Sequence, residues 1–322
     1  MMNEKNTGVR IRVPASTSNL GPAFDAVGLA LQLYLTLEVR ALPQSPTRID
    51  VTGEDAQLIP TDESNYIWRS MAEMAEESEC RLPYFSLRVE NEIPISKGLG
   101  SSSAALLAAA AAVNFLCARN WDSEKLLEIT VAREGHPDNL APSLFGGLVA
   151  SIHGNKILCS KSEFPKEWTA VAVTPNLEIP TEMARSILPP DISRKHAIYN
   201  IQRAAFLMAQ LVQGRREGLR EAMSDLLHQP YRSRLIPGLT EVLAMDHCEG
   251  LLGIALSGSG STVIALAESH EAEIGALICE LFKSHGLSSR SRLLKADNTG
   301  LAVCNNRSDS GPAHDAPRFQ RL

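Results

Sequence analysis

The sequence predicts an α+β protein built of two halves, and three observations indicate this. Apolar and polar residues alternate in several short runs, a pattern typical of strands with one buried and one exposed face. Alanine-rich and amphipathic runs of helical length stand between them. After strand-like runs at 147–152 and 168–174 the sequence becomes mostly helical, and the boundary between the two halves is expected between residues 155 and 175. At 322 residues the chain is long enough for two ordinary domains.

The first half is expected to hold a sheet with helices packed against it. Val9, Ile11 and Val13 alternate with Arg10 and Arg12, which predicts the first strand. Similar alternation continues down the chain, and an antiparallel or mixed sheet follows from it, because each strand keeps one polar face. The elements expected after the first strand are strands near 31–39, 85–89 and 147–152 and helices near 64–79, 101–118 and 122–133.

The second half is expected to begin with a strand near 168–174 and to continue with helices over 181–247, interrupted by prolines. The runs LLGIAL and TVIALA then flank a Gly/Ser turn, and a helix over 270–285 and a strand near 301–304 follow. The polar end of the chain, with its Pro and Gly, predicts disorder. The predicted units are 8–165, 166–305 and a disordered tail over 306–322.

Charge and composition exclude several classes of protein. The formal net charge of -6 argues against a nucleic-acid partner. The longest apolar tract, near 104–113, is too short to span a bilayer, and the start of the chain has no apolar leader, so a cytoplasmic protein without a membrane partner is expected. The cysteines are scattered, so buried reduced thiols are expected rather than disulfides or zinc sites. They are Cys80, Cys117, Cys159, Cys248, Cys279 and Cys304.

The stretch PISKGLGSSSAALLAAAAAV (94–113) joins a Gly/Pro loop to an alanine helix, with three serines at the junction. A helix N-terminus presents unpaired backbone N–H groups and partial positive charge. Gly98 and Gly100 allow close backbone approach, and the serines can bind phosphate oxygens or Mg²⁺. The stretch therefore predicts an anion cradle. The alternative is that Ser101 is a simple N-cap after an ordinary turn.

Two familiar phosphate loops do not fit this stretch. No G-x-x-x-x-G-K-[ST] string occurs in the chain. A dinucleotide fingerprint would need glycine where Ser103 stands, and the preceding strand alternates instead of being uniformly apolar. Both classes are disfavoured.

The stretch PISKGLGSSSAA resembles the phosphate-loop motif of the GHMP small-molecule kinases. Five other segments resemble that family in order. Four have the form typical of its homoserine kinases: PASTSNLGPAFDAVGLAL (14–31), EGHPDNLAPSLFGGL (134–148), PTEMARSILP (180–189) and HQPYRSRLIPG (228–238). The fifth, LSGSGST (256–262), resembles the family's C-terminal glycine motif. The resemblance covers almost the whole chain except the tail. It implies the two-domain fold of the family, an N-terminal half like ribosomal protein S5 domain 2 and a ferredoxin-like α+β C-terminal half.

The resemblance implies ATP and Mg²⁺ as cofactors. The metal ligands it implies are Ser102 and Glu134, with Glu128 as the alternative carboxylate. Hard Mg²⁺ takes one or two carboxylates and fills its other positions with water and phosphate. The residues implied for ATP binding are Asn65, Pro94, Ile95, Ser96, Lys97, Gly98, Leu99, Gly100, Ser101, Ser102, Ser103, Gly258 and Gly260.

The resemblance also implies L-homoserine as the phosphoryl acceptor, making O-phospho-L-homoserine for threonine synthesis. An amino acid needs an anionic partner for its ammonium, here Asp25, and guanidinium groups for its carboxylate, here Arg185 and Arg232. The residues implied for substrate binding are Asn19, Asp25, His136, Asp138, Asn139, Thr181, Arg185 and Arg232. The catalytic set is Asn139, Asp138 and Arg185, with Asp138 as the candidate general base of a reaction that can proceed without one.

Two alternatives stay open on the sequence alone. The chain could be a GHMP kinase for another alcohol, such as an isoprenoid precursor or a sugar. It could also be a catalytically silent ligand-binding relative, since Ser96 and Ser261 replace a glycine and a proline that are common in the family motifs. The family often dimerises, so the resemblance allows a homodimer.

Overall fold

The computed structural model describes residues 8–44, 47–245, 248–305 and 319–321. The strands in these ranges are β1 Gly8–Ser18, β2 Val27–Leu42, β3 Arg48–Gly53, β4 Tyr84–Asn91, β5 Leu148–His153, β6 Ile157–Ser162, β7 Thr169–Pro175, β8 Leu251–Leu256, β9 Val263–Ala267, β10 Ser289–Leu294, β11 Ala302–Asn305 and β12 Gln320–Arg321. The helices are α1 Tyr66–Glu77, α2 Ser101–Leu116, α3 Ser123–Glu134, α4 Leu140–Phe145, α5 Thr181–Ser186, α6 Arg194–Gln213, α7 Leu219–Ala222, α8 Gln229–Arg232, α9 Leu239–Ala244 and α10 Glu271–Ser284.

The first sheet has the strand order β12-β11-β1-β2-β4-β3, and β5 and β6 extend it from the start of β2. Its pairs are antiparallel except for β3 with β4, which is parallel. The mixed sheet expected from the alternating sequence is therefore confirmed. In β4 the alternation is visible directly, because Phe85, Leu87 and Val89 are buried and their neighbours in sequence are more exposed.

Helix α2 is the central helix of the first half. It packs between α1 and α3 and against strands β1 and β2. The side chains from Ser103 to Val113 are all buried, although helices usually keep one face in water. Alanine makes this possible, because its small side chain lets neighbouring elements approach on every side. The alanine helix predicted after the Gly/Pro loop is confirmed.

The second sheet is antiparallel with the order β10-β7-β9-β8, the strand order of a ferredoxin-like half. Both of its faces are covered. In β7, Ala170 and Ala172 belong to the core shared with the first half, whereas Val171 and Val173 belong to a second core with α10. The predicted α+β architecture of two halves is confirmed.

Besides β12, three short strands in the described residues were not expected from the sequence: β3, β6 and β10. Each lies at an edge of its sheet. An edge strand needs few apolar residues, so segments such as SRSRLL have weak alternation and carry little sequence signal.

The chain returns to the first sheet at its end. The predicted second unit extends to 305, but β11 pairs with β1 of the first sheet. The predicted disordered tail covers 306–322, of which 306–318 and 322 lie outside the described residues. Over 319–321 the prediction of disorder is wrong. Here β12 pairs with β11, and the ring of Phe319 contacts the guanidinium groups of Arg10 and Arg12.

The expectation of reduced, buried cysteines is wrong in two respects. Cys80 and Cys117 form a disulfide, with Cα atoms 6.3 Å apart. They follow the ends of α1 and α2, which pack side by side, whereas their separation of 37 residues conceals this proximity in the sequence. Cys159 is exposed on strand β6. Among the described residues, no helix is both long and apolar enough to cross a membrane.

Candidate active site

A cavity of about 370 Å³ lies between the two halves. It is lined by the turn between β1 and β2, the loop before α2, the turn after α3, and residues of α5, α8 and the β8–β9 turn. Of the predicted site residues, the cavity lining includes Asn19, Asp25, Asn65, Ile95, Ser96, Lys97, Gly98, Gly100, Ser101, Ser102, Glu134, His136, Asp138, Asn139, Thr181, Arg185, Arg232 and Gly258. Segments far apart in the chain thus meet at one site.

The loop before α2 is held close to both halves. A Cβ atom on Gly98 would lie 2.2 Å from the carbonyl oxygen of Ser257, so only glycine fits there. The Ser257 hydroxyl donates to the carbonyl oxygen of Gly98 at 2.6 Å, which joins the β8–β9 turn to this loop. Gly100 is the left-handed N-cap of α2 and has no side chain to cap the first amides of the helix. Those amides remain available to an anion.

Ser96 stands where the family motif commonly has glycine, and its backbone is left-handed, with φ at 55°. The conformation that favours glycine is therefore kept with serine in place. A neighbouring carboxylate supports the loop here, because Oδ2 of Asp55 accepts a hydrogen bond from the amide of Ile95 at 2.9 Å.

The predicted metal ligands lie together at the start of α2. The hydroxyls of Ser102 and Ser103 both donate to Oε1 of Glu134, each at 2.9 Å. A hydroxyl and one carboxylate beside a phosphate cradle are the hard oxygen donors that Mg²⁺ accepts. The alternative carboxylate, Glu128, lies away from the serines and Glu134. It forms an ion pair with Lys125 at 3.1 Å on the exposed face of α3 and does not line the cavity.

Asp25 and Arg185 meet face to face in the cavity. The two guanidinium Nη atoms of Arg185 donate to the two carboxylate oxygens of Asp25 at 2.9 and 3.0 Å. Burial lowers the pKa of Arg185, but the hydrogen bond and charge of Asp25 outweigh burial, and the net shift is upward. Both side chains are about one third exposed, at 37% and 34%, so a ligand can reach them.

Arg232 is fixed more tightly. Its side chain is buried, with Nε donating to the carbonyl oxygen of Ala184 and Nη1 donating to that of Gly258 at 2.7 Å. Burial and the charge of Arg185 lower the pKa of Arg232 to about 10, so the group stays cationic at neutral pH. The Gly258 carbonyl oxygen also accepts from Nδ2 of Asn19. The glycine turn of the second half thereby connects two predicted substrate contacts.

The turn after α3 presents a histidine and a carboxylate. Nδ1 of His136 lies 2.6 Å from Oδ1 of the buried Asp138. Burial lowers the pKa of His136, but its hydrogen bond and charge interaction with Asp138 outweigh burial and raise the pKa overall. Asn139 is held from both sides by strand β1. Its Oδ1 accepts from the Ser16 hydroxyl, and its Nδ2 donates to the Ser18 hydroxyl.

Some predicted residues lie behind the cavity surface instead of lining it. Asn65 touches the cavity, but its Oδ1 caps α1 by accepting from two backbone amides, and its Nδ2 donates to Pro60. Its side chain therefore has a structural task. Pro60 takes only one of the two N–H groups of Nδ2, so binding of the nucleotide base by Asn65 stays a prediction. The predicted residues that do not line the cavity are Pro94, Leu99, Ser103 and Gly260.

Sequence reasoning missed the apolar part of the site. The cavity lining also contains apolar and aromatic side chains suited to a flat ring: Leu35, Leu58, Ile59, Pro60, Tyr66, Ile67 and Val89. Such residues carry no signal because any core contains them. Phe24 was also missed, although it lies within the quoted first motif and its ring faces the guanidinium groups of Arg185 and Arg232.

Comparison with known proteins agrees with this architecture. Residues 65–147 match the N-terminal domain of the GHMP kinases, and residues 207–284 match their C-terminal domain. The two-lobed fold, the phosphate loop and the cavity between the halves define the class, and the chain belongs to the GHMP kinase family.

Within that class the similarity is to homoserine kinases. The chain is 38% identical to the homoserine kinase of Desulfitobacterium hafniense over 297 residues, 92% of this chain and 99% of that protein. It is 39% identical to the homoserine kinase of Deinococcus radiodurans over 91% of this chain and 96% of that one. The crystal structure of homoserine kinase from Cytophaga hutchinsonii superposes with a TM-score of 0.82 at 26% identity, covering 94% of this chain and 99% of that one.

Proposed function

We propose that the protein transfers the γ-phosphoryl group of ATP to the side-chain hydroxyl of L-homoserine, giving O-phospho-L-homoserine and ADP in threonine biosynthesis. The observation that carries this proposal is the charge set of the cavity. Asp25, Arg185 and Arg232 lie in one cavity with the phosphate loop. The similarity to homoserine kinases supports the same substrate.

The nucleotide is proposed to lie along the loop before α2. Backbone amides from Lys97 to Ser103 would bind its phosphates, and the apolar side chains of the cavity lining would contact the base. Ser102 and Glu134 would hold Mg²⁺, which neutralises charge on the transferred phosphoryl group. The predicted nucleotide role of Asn65 becomes indirect, because capping α1 fixes the cavity wall at Tyr66 and Ile67.

Homoserine is proposed to bind by exchanging partners with the Asp25–Arg185 pair. A zwitterion brings one positive and one negative charge, so the net charge of the site does not change on binding. The ammonium would replace the guanidinium on Asp25, with Asn19 beside it, because Oδ1 of Asn19 already accepts from the Asp25 amide at 3.0 Å. The carboxylate would then lie between Arg185 and Arg232, near Thr181 at the start of α5.

The hydroxyl is proposed to be positioned by His136, Asp138 and Asn139. Phosphoryl transfer through a loose transition state needs positioning and charge neutralisation more than early deprotonation. Asp138 is the candidate base, and its hydrogen bond to His136 orients it. Arg185 would also lie near the transferred group. The negative charges of Glu134 and Asp138 both raise the pKa of Arg185, which indicates that its guanidinium lies near these two carboxylates.

The test is ADP release by the purified full chain with ATP and Mg²⁺, using homoserine, mevalonate, galactose or shikimate as the acceptor. We expect turnover with homoserine and background rates with the others. If another alcohol is phosphorylated and homoserine is not, the proposed substrate is wrong. If no ADP is released with any of the four alcohols, the protein is a catalytically silent relative.

The cytoplasm and a homodimer remain part of the proposal. A reducing cytoplasm disfavours disulfides, so the Cys80–Cys117 bond bears directly on location. Thiol titration of protein extracted under alkylating conditions would find two fewer reactive thiols if the bond is present in cells.

A further inference from the structure

The HQPYR segment contains a buried histidine that the proposed mechanism does not use. His228 has no exposed surface and precedes α8, one turn before Arg232. Buried histidines are often structural, so the question is what its two ring nitrogens contact.

One ring nitrogen of His228 contacts the first half of the protein. Nε2 lies 2.8 Å from the carbonyl oxygen of Gly21, in the turn between β1 and β2. A carbonyl oxygen can only accept a hydrogen bond, so Nε2 must carry the proton. Nε2 also lies 3.5 Å from Oδ2 of Asp225.

The other ring nitrogen faces the second half of the site. Nδ1 lies 3.3 Å from Nη1 of Arg232, which can only donate. In the neutral ring with its proton on Nε2, Nδ1 is an acceptor, and the pair is a hydrogen bond. In a charged ring both nitrogens would carry protons, and Nδ1–H would face the cationic guanidinium. The contacts therefore require the neutral ring with its proton on Nε2.

The charged groups around His228 are Asp225, Arg232 and Asp25. Asp225 is the nearest anion, but four donors already satisfy its carboxylate. They are Nδ2 of Asn200 and the backbone amides of Leu227, His228 and Gln229, at 2.7 to 2.9 Å. Burial outweighs the attraction of Asp225 and lowers the pKa of His228. The same carboxylate fixes the backbone of the segment.

The ring of His228 also stacks on Phe24, with centroids 5.1 Å apart. The Phe24 ring in turn lies near the guanidinium groups of Arg232, at 5.3 Å, and Arg185, at 5.7 Å. His228 therefore connects the turn of the first half that carries Asp25 to the arginine of the second half.

We propose that His228 is a positioning residue. In its Nε2–H form it holds the Arg232 guanidinium in place relative to the Gly21 turn. The guanidinium is then already oriented when the carboxylate of an amino-acid substrate binds to it. This inference rests on the proposed function for the identity of the substrate. The tautomer and the hydrogen bond to Arg232 do not depend on it.

Two substitutions separate the contacts of the two nitrogens. The amide group of Gln reaches the position of Nε2 and keeps a donor for Gly21, whereas the carbonyl oxygen of Asn takes the position of Nδ1 and keeps an acceptor for Arg232. We expect His228→Gln to raise KM for homoserine about tenfold, the size of one hydrogen bond to a charged group. His228→Asn should raise it less than about threefold, and KM for ATP should stay within about twofold in both.

Coupling to Arg232 and a matched control complete the kinetic test. In an Arg232→Ala background, His228→Gln should raise the Kd of homoserine no further, because the partner is gone. His153→Gln, on the exposed end of β5, controls for loss of a histidine. If His228→Gln lowers thermal stability but leaves KM for homoserine unchanged, or if His228→Asn is the more damaging variant, the proposal is wrong.

A measurement without substrate separates this proposal from the proposed function. ¹⁵N-histidine NMR of the full chain, with the His228 signals assigned by their loss in His228→Gln, should show a neutral ring protonated at Nε2 at pH 7. A charged ring or an Nδ1–H tautomer would overturn the positioning role whatever the substrate is. Failure of homoserine to turn over in the wild-type protein, with the Nε2–H tautomer present, would overturn only the substrate.

Discussion

At the residue scale, the exchange of partners at Asp25 makes that carboxylate the test of an amino-acid substrate. In Asp25→Ala an incoming ammonium loses its anion, and Arg185 loses the group that now orients it. We expect KM for homoserine to rise about tenfold to a hundredfold, the range for a hydrogen bond between charged groups. KM for ATP should change less than about twofold, because Asp25 is not among the groups proposed to bind phosphate.

Steady-state kinetics with each substrate varied in turn would measure both constants. Asp191→Ala, on an exposed loop of the second half, is the control for loss of one carboxylate. Equal losses for both substrates would show that Asp25 supports the site as a whole and does not bind an ammonium. A variant with full activity would favour an alcohol without a positive charge.

Glu134 and Glu128 form a matched pair for the metal, since both are carboxylates on α3. Glu134 contacts Ser102 and Ser103 in the site, whereas Glu128 pairs with Lys125 in solvent. Glu134→Gln removes the charge that a hard cation needs, so kcat should fall more than about tenfold and half-saturation with Mg²⁺ should move to higher concentration. Glu128→Gln should keep kcat within about twofold, since an exposed ion pair contributes little.

Titration of kcat against Mg²⁺ concentration checks this prediction. If both variants keep wild-type kcat, Glu134 is not a ligand. If Glu128→Gln is the one that loses activity, the carboxylates have been assigned in the wrong order.

At the element scale, α2 tests whether its alanines are required for packing. Ala109 is fully buried, so Leu at this position adds three carbon atoms where no space exists. We expect Ala109→Leu to lower the free energy of unfolding by about 1–3 kcal/mol, the usual cost of overpacking a core. Ala205→Leu, on the exposed side of α6, should change it by less than about 0.5 kcal/mol.

Urea unfolding followed by circular dichroism would measure both variants. Because α2 begins at the phosphate loop, Ala109→Leu should also raise KM for ATP, whereas Ala205→Leu should not. Equal stability of the two variants would mean that α2 tolerates larger side chains than its burial indicates.

Elements with strong local patterns could be predicted from the sequence, and elements that depend on distant partners could not. The alternation in β1, β2 and β4 and the alanine run of α2 identified them correctly. The edge strands β3, β6 and β10 and the return of β11 depend on long-range pairing, which has no local signature.

The same limit applies to the site. The motifs brought into one proposal the cationic and anionic residues that the structure places around one cavity. They could not show that Asp25 pairs with Arg185, 160 residues away, or that Asn65 is used as a helix cap. The pairing of Asp25 with Arg185 and the capping by Asn65 depend on which groups the fold brings within hydrogen-bond distance.

At the scale of the whole molecule, acid stability depends on the neutral ring of His228. Its pKa is lowered by burial, so below about pH 6.5 the unfolded chain takes up a proton there that the folded chain does not. Stability must therefore fall as the pH falls through that region, by at most about 1.4 kcal/mol per pH unit from this group. The pKa of His136 is raised, so this histidine has the opposite effect on stability. Its contribution to the free energy of unfolding is present below about pH 6.5 and is lost at higher pH.

Free energies of unfolding at pH 5.5 and 6.5 for the wild-type protein and His228→Gln would isolate the first contribution. We expect the wild-type protein to lose more stability than the variant across this interval, since only the wild-type protein has the His228 ring to charge on unfolding. Parallel losses in the two proteins would mean that His228 is protonated as readily when folded as when unfolded.

The pairing of β11 with β1 has a consequence for the order in which the chain can assemble. During synthesis β1 (Gly8–Ser18) and its neighbour β2 leave the ribosome long before its other neighbour in the sheet, β11 (Ala302–Asn305). The second sheet, whose strands all lie between β1 and β11 in the chain, can therefore form before the first sheet is complete. A nascent chain stalled before residue 302 should therefore carry β1 with one bare edge, open to other strands or to chaperones.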